Sequence, residues 1–342
     1  GRLSGISLPP VPSWRRSALC GGLFVLAVYV LTGALSEADT SRFGQALCLS
    51  LVMLSLVVLT GYGGDVSLCQ MSFVGVGGLV VGRMFDGITP VSLVAAFLVA
   101  GLLGACIAVP ALRLRGLYLG LGTLAVAAAM DNLVFPTSVF GFGAGGGSLV
   151  LDRPSPLGVS LESERAFTVT VALAFVAMSL AVLSVRRGRF GRLLLAARDS
   201  DAACATLGFS PTAIRVLVFG ISAGLAGIAG AFYAGMRVSI GTADFTFFAS
   251  LPLLLLAVVG GVTSVTGALV GGIALGLLPV VQEQYPAVGG LIFVGVLIAV
   301  VSLGGNPNGL AGRLFALRPA PPPSASGMAP AGHRGGALVG SA

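Results

Sequence analysis

The chain has 342 residues, 56% of them hydrophobic and only 9% charged, whereas a soluble domain carries about 25% charged residues. Its net charge is +7, every one of its 19 basic residues is arginine, and its single histidine is His333. Without lysine there is no phosphate-binding G-x-x-x-x-G-K-[ST] loop and no Schiff-base chemistry, and without histidine in the body there is no triad or H-E-x-x-H zinc site. No catalytic or metal-ligating set is therefore expected. Cys20, Cys48, Cys69, Cys106 and Cys204 lack any C-x-x-C spacing and read as small apolar residues.

Residues 1–17 form a polar lead-in. Apolar blocks follow at 18–35, 44–60, 66–82, 91–109, 117–135, 167–185, 213–235, 247–261, 265–281 and 288–304, most of them close to the roughly 20 residues that cross a bilayer as a helix. The fold class is an all-α integral membrane protein, a polytopic bundle of about ten transmembrane helices with short broken or re-entrant segments. The block 66–82 is short and glycine-rich, and reads either as a full span or as a re-entrant helix. Pro90 stands before a span, Pro110, Pro136 and Pro286 fall in connections, and Pro252 and Pro279 fall inside spans, where they mark kinks. The membrane domain covers 18–316, and the Pro, Gly and Ala-rich stretch 317–342 reads as a disordered tail.

Arginine collects in loops that face the cytoplasm. With the N-terminus inside and ten crossings, every arginine except Arg42, Arg83, Arg153, Arg165 and Arg237 lies on the cytoplasmic side, and both termini are cytoplasmic. Most acidic residues fall on the other side; Asp65, Asp199 and Asp201 are the inside ones. Arginines at the ends of apolar blocks fit a lipid bilayer as partner and argue against nucleic acid. The 52 glycines concentrate within spans, as at Gly75, Gly77 and Gly78 or Gly220, Gly224, Gly227 and Gly230, where small residues let helix backbones approach closely. Gly63-Gly64-Asp65-Val66-Ser67 is echoed by Gly260-Gly261-Val262-Thr263-Ser264, each at a break between apolar blocks. Such breaks are expected to line or gate a path.

The longest cytoplasmic connection is the segment 186–212. Its stretch 190–207 has a helical apolar stripe that includes Leu194, with Arg192, Arg198, Asp199 and Asp201 polar and Gly208 as the stop. On these residues alone it reads either as a connector lying on lipid headgroups or as a contact with another protein.

Residues 189–235 resemble the coupling segment and following helix of the branched-chain amino-acid permeases of bacterial ABC importers. Gly61–Gly78, Arg113–Ala125 and Gly260–Gly272 resemble further blocks of that family in the expected order. The chain departs from the family at Gln70, where many relatives have histidine, in the loop Gly141–Leu151, and at Asn306–Leu310. The resemblance implies one permease subunit in the bacterial inner membrane that forms the translocation path for leucine, isoleucine or valine. It also implies a second permease subunit, two ATPase subunits that bind ATP and Mg, and an extracellular or periplasmic substrate-binding protein. This chain itself would bind no cofactor. Relatives carrying urea, amides or simple sugars are the alternative, and a stand-alone secondary transporter is a further one, which should show paired carboxylates or histidines at mid-span.

Polar residues within or beside the spans are the candidates for the path: Asp65, Ser67, Gln70, Ser72, Thr123 and Ser264, with Asp131, Asn132 and Ser222 beside them. At Asp65 helix capping competes with substrate contact, and the serines can simply satisfy helix carbonyls. Arg189, Arg192, Leu194, Arg198, Asp199, Asp201 and Gly208 are the residues expected to couple the chain to an ATPase.

Overall fold

A computed structural model describes residues 14–284, apart from 86, 115–116, 139–140, 144–146, 152–162, 200–203, 206–207 and 262. Among these, α1 spans Trp14–Ala34, α2 Glu37–Leu56, α3 Gln70–Met84, α4 Pro90–Ala111, α5 Leu117–Ala129, α6 Glu164–Arg187, α7 Arg189–Asp199, α8 Pro211–Arg237, α9 Ser250–Gly260 and α10 Val265–Gln284. Six helices are long and apolar enough to cross a membrane: α1, α2 with its extension to Gly63, α4, α6, α8 and α10. The blocks at 66–82, 117–135 and 247–261 carry shorter helices, and the block at 288–304 lies outside the described residues. Among the described residues, the departure from an all-helical fold is one short antiparallel pair, β1 Ser148–Val150 with β2 Ser239–Gly241, in which Leu149 faces Ile240.

Local chemistry sets the helix starts. The side chains of Ser36, Ser163 and Ser210 accept from backbone N–H groups in the first turns of α2, α6 and α8. Thr89 and Ser92 form a reciprocal capping box ahead of α4, with Pro90 at the first helical position, where its missing N–H costs nothing. Pro110, expected in a connection, lies in the last turn of α4.

The bundle is centred on α2 and α8, whose most apolar windows are 78% and 72% buried, against 11% for α1. Leu19, Leu23 and Leu26 on α1 are exposed, as suits a helix facing lipid. Glycine decides which helices reach the centre. A Cβ on Gly77 of α3 would meet the Gly227 backbone of α8, one on Gly230 would meet the Val74 carbonyl, and one on Gly227 would meet the Ala96 carbonyl of α4. Helices α3, α4 and α8 thus touch backbone to backbone, the close packing that small residues allow in lipid. Gly272 and Gly276 bring α10 equally close to Ser50 and Ala46 of α2.

The helix ends sort into two groups. At one end Arg187 lies 5.3 Å from the Trp14 ring at the start of α1, and Arg186 lies 5.7 Å from the Tyr62 ring beyond the end of α2. At the other end Arg165 lies 4.4 Å from the Tyr29 ring, and Arg42 bonds Glu283 at 3.3 Å. Arg186 and Arg187, assigned by sequence to one side, thus share one end of the bundle, and Arg42 and Arg165, assigned to the other side, share the opposite end.

Candidate translocation path

Helix α2 does not stop cleanly at Leu56. It continues as a π-helical run, Val57–Gly63, and ends at Gly64 with φ 80°. At φ > 0 a side chain is strained and glycine is not. The following residues are non-helical until α3 begins at Gln70, so the break lies at the start of the block 66–82 and its helical part is α3. The echo at Gly260–Ser264 shares the positive φ and the bond four residues back: Gly261 has φ 102° and donates its N–H to the Ala257 carbonyl at 3.1 Å, as Gly64 does to Thr60 at 3.2 Å.

Unwound backbone in a membrane must find partners, and here side chains supply them. Thr123 Oγ1 on α5 accepts from the Leu68 N–H at 3.0 Å and donates to the Gly120 carbonyl at 2.9 Å. Ser250 Oγ at the start of α9 accepts from the Met71 N–H at 3.2 Å. Ser67 Oγ accepts from the Cys69 N–H at 3.4 Å and lies 3.2 Å from the Cys69 Sγ. The break is thus held from α5 and α9.

Gln70 is 1% exposed and sits between α2 and α8. Its Nε2 donates to Ser55 Oγ at 2.5 Å and Ser222 Oγ at 3.1 Å. Both hydroxyls already donate elsewhere, Ser55 to the Val52 carbonyl at 2.6 Å and Ser222 to the Ser55 carbonyl at 2.8 Å. They can only accept from Gln70, which fixes its amide orientation and leaves Oε1 as a buried acceptor without a partner. Ser72 Oγ, two residues on, is likewise buried and unpartnered.

The remaining candidates have other work. Asp65 pairs with Arg215 at 3.8 Å, and the N-cap position of α3 is Cys69, which makes no side-chain cap, so Asp65 does not cap the helix. Ser264 Oγ accepts from the Gly267 N–H at 2.9 Å and so serves the start of α10, away from the Gln70 group. Asp131 accepts from the Phe247 N–H at 3.3 Å, and Asn132 donates to the Ala128 carbonyl on an exposed face. Gln70, Ser72, Thr123, Ser67 and Ser222 are brought to one region, together with Ser55 and Ser250, which the sequence reading missed. Ser55 lies 15 residues before Gln70 and Ser222 lies 152 after it, so no spacing rule links them.

In the coupling segment α7 is helical over Arg189–Asp199 and residues 204–205 are helical as well, while 200–203 and 206–207 of the expected stretch 190–207 lie outside the described residues. Asp201 lies outside the described residues. Arg189 and Arg192 are exposed, while Leu194 and Ala197 are 1% and 3% exposed against the chain's own core. The apolar stripe is therefore used internally, and Leu194 is not on the outward face. Arg198 donates to the Gly61 carbonyl. Gly208 has φ 81° and its N–H bonds the Ala205 carbonyl at 3.0 Å, a left-handed turn suited to glycine.

At the end of the bundle away from this arginine group, an open cleft of about 690 Å³ lies among Ser41, Gln45, Glu164, Arg237, Ser239 and Asp244. Asp244 there binds Arg237 at 2.7 Å and accepts from the Gly241 N–H at 2.9 Å.

Among the described residues, a helical bundle with six helices long and apolar enough to cross a membrane and a buried uncharged polar group between its central helices defines a multi-pass membrane protein. The family described as branched-chain amino acid transport system / permease component matches residues 40–301, and the chain belongs to it. It is 28% identical over 284 residues to the high-affinity branched-chain amino acid transport system permease protein LivM of Escherichia coli K12, covering 76% of this chain and 64% of that protein. It is 28% identical over 238 residues to LivM of Salmonella typhimurium, covering 62% and 55%, and 30% identical over 172 residues to BraD of Pseudomonas aeruginosa, covering 49% and 53%. The chain thus spans 55% and 64% of the lengths of the two LivM relatives. These relatives are transport permeases and not enzymes. No solved structure matches.

Proposed function

We propose that the chain is a permease subunit of an ABC importer that passes leucine, isoleucine or valine inward across the bacterial cytoplasmic membrane. The observation that carries this reading is the buried Gln70, Ser55 and Ser222 group beside a broken helix, in a chain whose family and relatives are named for branched-chain amino acids. An uncharged amide with a free acceptor suits a small polar headgroup. It does not suit an ion-coupled carrier, which needs titratable groups along its path.

Without a phosphate-binding lysine the chain has no ATP motor of its own, so ATP and Mg belong on two partner ATPase subunits. A second permease subunit and an external binding protein complete the assembly. The exposed Arg189 and Arg192 of α7 face the ATPase. On this reading α7, with the arginine-rich end of the bundle, lies in the cytoplasm and the Arg237 cleft outside, in keeping with the tendency of arginine to collect on the cytoplasmic side.

Uptake of labelled leucine by proteoliposomes holding the full assembly is the test. ATP-dependent leucine accumulation, competed by isoleucine and valine, is expected. Accumulation of urea, a short amide or a sugar in place of leucine would overturn the substrate, and accumulation without ATP would overturn the mechanism.

A further inference from the structure

A coupling segment followed directly by a membrane helix suggests that movement passes along the chain, from α7 into α8. The side-chain contacts of α7 lead to a different helix. Arg198 donates from Nη1 to the Gly61 carbonyl, and its Cγ lies 2.9 Å from where a Cβ on Gly64 would stand. Gly61 belongs to the final turn of the π-helical run, whose last carbonyls form the negative end of a helix dipole and attract a guanidinium. Gly64 has the exposed backbone and positive φ that give the arginine stem room. Leu194, three residues before Ala197 and four before Arg198, shares a helix face with each, and Leu194 and Ala197 are both buried. Helix α7 packs on the end of α6, the π-helical run and the start of α8.

Beyond Gly64 the chain has little freedom before it reaches the polar group. Leu68 and Met71 are pinned through their N–H groups to Thr123 and Ser250, and Gln70 lies between them. A shift of Gly64 reaches Gln70 through only six residues of chain.

We propose that Arg198 is a positioning residue that links α7 to the break between α2 and α3, so that movement imposed on α7 acts on Gln70 through a side-chain contact with α2. This rests on the reading of α7 as the ATPase contact and assigns its residues two separate tasks. The exposed Arg189 and Arg192 meet the partner. Arg198, partly buried and turned inward, does not.

The test uses the reconstituted assembly with its ATPase and binding protein, comparing Arg198→Ala, Arg198→Lys and Arg192→Glu for co-purified ATPase, ATP hydrolysis and leucine moved per ATP. Arg198→Ala should keep the ATPase and its hydrolysis while leucine moved per ATP falls about tenfold, the scale of one lost charged hydrogen bond. Lysine, which donates to the same carbonyl, should recover part of the loss. Arg192→Glu should lose the ATPase. Arg198→Met, which keeps an unbranched stem and removes the donor, should lower the ratio in the same way and covers the case of a poorly folded Arg198→Ala. An unchanged ratio in Arg198→Ala, or loss of the ATPase to the same extent as in Arg192→Glu, overturns the proposal. Absence of the ATPase from the wild-type preparation, by contrast, defeats the coupling reading on which it rests.

Discussion

Replacing Gly230 by alanine should loosen the centre of the bundle. A Cβ at this position would lie 2.7 Å from the Val74 carbonyl carbon and 2.9 Å from its Cα, where nonbonded carbons prefer about 3.5–4.0 Å. Both obstacles are backbone, so no rotamer change relieves them, and α3 must move from α8 by on the order of 1 Å. A gap of that size forfeits about a quarter to a half of the dispersion well along the contact, and overpacking of this kind costs about 1–3 kcal/mol. The same displacement stretches the 3.1 Å bond between Gln70 and Ser222, which joins these two helices. Gly230→Ala should therefore melt earlier in detergent and transport more slowly. Gly22→Ala, with nothing within 4 Å of the new methyl, should do neither. Equal unfolding temperatures and equal uptake for the two variants would refute the argument.

Gln70→Met should stay within about 1 kcal/mol of wild type, because the two lost hydrogen bonds are offset by removal of the unpartnered Oε1; its leucine uptake should nevertheless fall, and normal uptake would take Gln70 off the path. Gln70→Glu places a charge in the same site and should destabilise by several kcal/mol, seen as poor recovery of folded protein. Ser264→Ala should cost about 1 kcal/mol through loss of the bond to Gly267 while leaving the KM for leucine unchanged, since Ser264 starts a helix and does not touch the Gln70 group. In intact cells a cysteine at Arg192 should resist an impermeant thiol reagent and one at Ser239 should react, both positions being exposed at opposite ends of the bundle; the reverse pattern would invert the topology.

The positions of the six long apolar helices were legible because apolar runs and span length are set by the bilayer rather than by distant contacts. The breaks were legible too, since Gly63-Gly64 and Gly260-Gly261 interrupt those runs, and both pairs carry a positive φ at the second glycine. What α7 packs against was not legible. An amphipathic stripe shows that Leu194 is covered, but not whether the cover is this chain or another, and here it is this chain. Ser55 escaped notice because a serine in an apolar helix ordinarily bonds its own helix, as Ser55 does with Val52; its second role depends on Gln70 arriving from α3. The pairing of β1 with β2 left no mark either, since each strand is only three residues long and its partner lies far along the chain.

The glycine contacts among α3, α4 and α8 restrict how the protein can move. Helices that slide past one another do so by exchanging side-chain rotamers, and a surface of Gly77, Gly227 and Gly230 against carbonyl oxygens has none to exchange. Such a contact is either closed or open, with no graded positions between. During a transport cycle these three helices should travel as one rigid block, and the sliding should fall to interfaces built from larger side chains, such as that of α1 with α6, where Phe24 meets Phe175.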